Sequence, residues 1–97
     1  MKTTRSLKVA TFERQSGLIR LLIVLSEITE LNFQAILDEY DFAVNSLYGA
    51  IEKGDALGII QTKQDSSSYP ARNMISLTPK GKKVAELLKK IEEVLEG

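Results

Sequence analysis

Two pairs of adjacent carboxylates, Asp38-Glu39 and Glu92-Glu93, are the nearest this chain comes to acid–base machinery. Both lie in stretches of helical periodicity, where neighbouring positions point to different faces, so neither pair converges on one substrate atom. The 97-residue sequence contains no histidine and no cysteine. That removes imidazole bases, thiol nucleophiles, disulfides and the cysteine/histidine sets that hold zinc. No glycine-rich phosphate loop is present. The sequence therefore implies a protein that is not an enzyme, with no cofactor and no metal.

What remains is the chemistry of fixed charges, hydroxyls and amides. Formal net charge is zero, but its distribution is blocky. Residues 1–20 carry Lys2, Arg5, Lys8, Arg14 and Arg20 against Glu13, a net +4. Residues 21–58 carry Lys53 against Glu27, Glu30, Asp38, Glu39, Asp41, Glu52 and Asp55, a net −6. Residues 59–83 return to +4 through Lys63, Arg72, Lys80, Lys82 and Lys83 against Asp65, and residues 84–97 are −2. Such blocks say where a polyanion can touch the surface, although the total does not require one.

The elements that must position these groups follow from apolar spacing. Residues 1–10 are polar and basic without helical periodicity, and read as a mobile arm. Phe12 to Ser26 reads as a helix, apolar nearly all round from Leu18 to Leu25 and so wrapped by others, with Ser16-Gly17 a second start inside it. Glu27 to Leu31 is a short connection. Asn32 caps a second helix whose Phe33, Ile36, Leu37 and Tyr40 share one stripe. A third helix runs from about Ala43 to Leu57, with Leu47, Ala50, Ile51 and Gly54 inward and Gly58 as its glycine cap. The period then changes to β in Ile59–Lys63, followed by a serine-rich loop and a returning strand over Arg72–Leu77. Thr78-Pro79 opens a last helix, threonine as cap and proline in the first turn.

Length and composition, 43% hydrophobic and 27% charged, suit a single compact domain. The densest apolar run, Leu18 to Leu25, is too short to span a membrane, and Met1–Ala10 lacks the apolar core of a signal peptide. A cytoplasmic protein is expected, without a membrane partner.

Three helices, a hairpin and a final helix make a mainly α fold with a small β-hairpin (α+β). This order resembles the winged helix-turn-helix: three helices, a two-stranded wing and a C-terminal helix. Two motifs carry the resemblance further. Leu47-x-x-x-Ile51-x-x-x-x-x-Leu57-Gly58-Ile59-Ile60 is similar to a recognition helix running into the first wing strand. Ile75-Ser76-Leu77-Thr78-Pro79-Lys80-Gly81 is similar to the end of the wing and the cap of the last helix in MarR-like, PadR-like and HxlR-like regulators. The match spans roughly residues 16–95. It divides the chain into an arm (1–10), a winged helix-turn-helix (11–78) and a C-terminal helix suited to dimerisation (79–97).

The resemblance implies a sequence-specific DNA-binding transcriptional regulator, a homodimer on a palindromic site of double-stranded DNA. The recognition helix would offer Val44, Asn45, Ser46, Tyr48, Gly49 and Lys53 to the major groove, Asn45 as an amide for adenine and Ser46 and Tyr48 for phosphates. Asn45, Gly49 and Glu52 are the outward positions at 100° per residue, and Gly49 suits a close backbone approach. The wing would offer Lys63, Ser67, Tyr69 and Arg72, and the arm Lys2, Arg5 and Lys8. Lys80, Lys82 and Lys83 sit at the positive end of a helix, a placement that suits an anion. Val84, Leu87, Leu88, Ile91, Val94 and Leu95 would form the dimer interface. No small-molecule effector is legible.

The sequence also departs from the family pattern. The cap position before the recognition helix is Ala43, with Asp41 as a substitute, and the next residue is Val44. Lys53 is the one cation on that helix, and Gly54 replaces the usual core leucine, so the helix is expected to bend or end early. These departures favour an alternative, a winged-helix protein–protein interaction module that does not bind DNA.

Overall fold

A single glycine divides what periodicity reads as one N-terminal helix. In the computed structural model, which describes residues 7–65 and 72–97, a 3-10 turn at Lys8–Ala10 leads into α1, Thr11–Arg14. Gly17 then adopts φ +83° and starts α2, Leu18–Glu27. That left-handed conformation is strained for residues with a Cβ, and a Cβ there would also press on the Phe42 ring. Lys8, Val9 and Ala10 therefore belong to this ordered entry. Lys2 and Arg5 lie outside the described residues.

Leu18, Leu21, Leu22 and Leu25 of α2 are buried at the centre of the domain. The helix is not wrapped on every side, however, because Ile19 is 41% exposed and Arg20 also faces outward. The segment after it, read as a connection, is a short strand β1, Glu30–Asn32, antiparallel to β3 with Leu31 opposite Ile75. Asn32 then caps α3, Phe33–Glu39, its side-chain oxygen accepting from the Ala35 N–H at 2.7 Å. Ile36 is buried, while Phe33, Leu37 and Tyr40 pack against the core from its edge.

Helix α4, Val44–Ala56, buries Leu47, Ala50 and Gly54. It ends through Gly58 at φ +75°, the Ile59 N–H bonding the Gly54 carbonyl and the Gly58 N–H the Asp55 carbonyl. This paired bond pattern satisfies carbonyls that a helix end otherwise leaves free, and it turns the chain straight into a strand. Strand β2, Ile60–Asp65, pairs with β3, Arg72–Leu77, in one continuous antiparallel register from Ile60–Leu77 to Asp65–Arg72. The sheet has three strands in the order β1-β3-β2, one more than the wing alone.

Helix α5, Pro79–Glu96, opens on Thr78, whose hydroxyl oxygen accepts from the Gly81 N–H at 3.0 Å and donates to the Gly58 carbonyl at 2.7 Å. One side chain thus caps α5 and fastens it to the exit of α4. Gly81 and Ala85 are buried against the rest of the domain, and α5 packs along α2. Among the described residues no helix is long and apolar enough to cross a membrane.

Candidate nucleic-acid interface

The α3–α4 pair and its turn are held from α2. The Arg20 guanidinium donates to the Asp41 main-chain carbonyl at 2.7 Å and lies 4.0 Å from the centroid of the Phe42 ring. A charge-assisted hydrogen bond and a cation–π contact on one side chain thus fasten the turn before α4 to α2. Asp41 does not act as the substitute cap: α4 begins at Ala43 without a side-chain cap. Sequence reading counted Arg20 only as charge, since nothing local links it to a turn twenty-one residues later.

On α4 the exposed positions are Val44, Asn45, Tyr48, Glu52, Lys53, Asp55 and Ala56, with Ser46 half-buried. Tyr48 is 60% exposed, yet its ring stands 4.4 Å from the Phe33 ring, which steadies it against the start of α3. At Gly49 the end of the Gln15 side chain, from the α1–α2 turn, lies where a Cβ would stand. Gln15 thereby joins the margin of this face, a residue that helical periodicity in α4 cannot reveal. Gly54 does not end the helix, which runs on to Ala56, and the glycine makes room for the Ile60 side chain.

The wing leaves directly from α4. Lys63 is exposed on β2 opposite Met74, and Arg72 opens β3 opposite Asp65. Ser67 and Tyr69 lie outside the described residues. At the other side of the wing root, Lys80 is withdrawn from the lysine cluster by a 2.9 Å hydrogen bond from its ammonium to the Leu57 carbonyl, while Lys82 and Lys83 are exposed. The fold divides the α5 stripe. Val84 and Leu88 pack against the core, whereas Leu87, Ile91, Val94 and Leu95 are left exposed.

No family model and no curated protein matches the sequence. Solved structures do match the fold. A transcriptional regulator homologue from Pyrococcus horikoshii superposes with TM-score 0.73 at 18% identity, over 93% of each chain. A protein from Porphyromonas gingivalis assigned to the MarR family of transcriptional regulators gives 0.71 at 19% identity, over 96% of this chain and 94% of that one. Another from Enterococcus faecalis gives 0.68 at 14%, over 99% and 92%. With a helix-turn-helix, a wing rooted at its second helix and a capped last helix, this chain has the winged helix-turn-helix fold of MarR-like transcriptional regulators.

Proposed function

We propose that this protein is a DNA-binding transcriptional regulator, acting in the cytoplasm as a homodimer on a palindromic site. The observation that carries the reading is the continuity of α4 with the wing. A single turn at Gly58 joins a helix presenting Asn45, Tyr48 and Lys53 to a strand presenting Lys63. Helix and wing thus meet a duplex as one body, α4 in the major groove and the wing on the flanking backbone. Asn45 is the base-reading amide, and Ser46, Tyr48 and Lys53 are phosphate contacts. Lys63 and Arg72 supply wing charge, and Ser67 and Tyr69 of the wing loop add hydroxyls. The exposed apolar residues of α5 form the dimer surface.

Fluorescence anisotropy against a labelled random-sequence duplex, across a salt series, tests this. Affinity that falls steeply with salt is expected, because phosphates neutralised by lysine and arginine release counterions. Absence of binding at low salt overturns the reading. One observation favours a second reading, α4 as a protein-docking surface: its open face combines Val44 and Tyr48, 49% and 60% exposed, with Glu52 and Asp55. A protein that fails to bind DNA at low salt would be assigned to that class.

A further inference from the structure

The outward line of α4 has a gap that another element fills. Leu47, Ala50 and Gly54 turn toward the core, and at 100° per residue Asn45, Gly49 and Glu52 lie on the opposite side. Gly49, one helical turn or about 6 Å beyond Asn45, brings no side chain to that line. Glycine is a poor residue for the middle of a helix. What it provides here is a seat. A Cβ at Gly49 would stand 2.5 Å from Nε2 of Gln15 and 3.0 Å from its Cδ and Oε1, so the Gln15 carboxamide rests against the bare α-carbon.

The main chain of Gln15 is held from both sides. Its N–H donates to the Thr11 carbonyl at 2.9 Å, and its carbonyl accepts from the N–H of Leu18 at 3.4 Å, the buried first residue of α2. The side chain is half-buried, yet its polar atoms are little used. The amide makes one long contact, 3.5 Å, with the Ser16 carbonyl, and among the described residues the carboxamide oxygen accepts nothing. A carboxamide carries two donors and an acceptor oxygen with two lone pairs. One N–H and the oxygen are thus left side by side, the pattern that bonds adenine at its N6 and N7 edge.

We infer that Gln15 is a base-reading residue of this protein, its carboxamide seated on Gly49 as the side chain that α4 lacks there, and that its preferred base is adenine. The inference rests on the DNA-binding reading above and adds to it a specificity determinant from outside α4. Selection from a pool of randomised duplexes tests it, with the unaltered protein, Gln15→Ala and Gly49→Ala side by side. The second variant keeps Gln15 and displaces its carboxamide from the seat, which a flexible side chain allows without disturbing the fold. Both variants should lose the same adenine preference, by about tenfold, at a position other than the one that Asn45→Ala relaxes. Gln15→Ala/Gly49→Ala should lose no more than either single variant, since each removes the same contact. The salt slope should stay unchanged throughout, because a neutral amide releases no counterions. If Gln15→Ala selects the same sequence as the unaltered protein, even with every duplex bound more weakly, Gln15 reads no base and the inference falls. It falls equally if Gly49→Ala keeps a preference that Gln15→Ala loses, or if the unaltered protein binds without a preferred sequence. These results leave DNA binding itself standing. A protein that retains no duplex at low salt overturns both.

Discussion

The Lys80 ammonium donates a 2.9 Å hydrogen bond to the Leu57 main-chain carbonyl, joining the first turn of α5 to the end of α4. A cation suits that end of a helix, where the dipole is negative and the last carbonyls lack intrahelical partners. Two elements of different roles, the candidate reading helix and the candidate dimer helix, are therefore tied by one side chain. Lys80→Met should lower unfolding free energy by about 1 kcal/mol, because the bond is solvent-exposed. It should leave the salt dependence of DNA binding unchanged, since this lysine is engaged elsewhere. Thermal unfolding and the salt series together check both halves.

The same junction predicts a much larger effect one residue on. A Cβ at Gly81 would run into the Ile59 carbonyl, which is main chain and already accepts the Thr78 N–H at 3.1 Å. Neither partner can yield without separating α5 from the wing root. Gly81→Ala should cost about 3 kcal/mol or more, despite the better helix propensity of alanine. An unfolding free energy from denaturant titration within about 1 kcal/mol of that of the unaltered protein would show that the junction is looser than its geometry.

Two glycines of α4 should respond in opposite directions. At Gly49 an added Cβ meets the end of the Gln15 side chain, which can swing away. At Gly54 it meets Ile60, which is 1% exposed and confined by the core. Both substitutions gain about 1 kcal/mol of helix propensity. Gly49→Ala should therefore be neutral or stabilising, and Gly54→Ala destabilising by about 1–3 kcal/mol because the core is overpacked. Equal midpoints for the two variants would refute this account.

These positions show which parts of the architecture were legible beforehand. The Asn32 and Thr78 caps, the Gly58 turn and the β2–β3 hairpin were readable because each rests on contacts within a few residues, or on a change of period. Strand β1 was not, since three residues, Glu30-Leu31-Asn32, are too short to show alternation and acquire their state only by pairing with β3. Gly49 lies on the outward face by helical geometry alone, and only the fold-back of the α1–α2 turn puts Gln15 over it. The roles of Arg20 and Lys80 were hidden for the same reason: each bonds a main-chain carbonyl more than twenty residues away. Local rules reach such contacts only after the helices have been assembled.

The acidic face of α4 supplies the sharpest test of the proposed function. Glu52 is exposed beside Lys53 on the face that would enter a groove, and Lys63 is exposed on the adjoining wing strand. Against a duplex these side chains act with opposite sign. Lys63→Gln should weaken binding across all sequences and reduce the salt slope by about one, the loss of a single phosphate contact. Glu52→Gln removes a repulsion and should strengthen binding, most clearly at low salt, where charges on the surface are least screened. Asn45→Ala should leave the slope alone and relax preference at one base position, because an amide reads base edges without neutralising phosphates. If α4 instead docks a protein, the unaltered chain will not bind the duplex at low salt, and neither Glu52→Gln nor Asn45→Ala will create binding. Titrating the three variants against one duplex separates the two readings, because only a helix seated in the groove ties the sign of the effect to the charge removed.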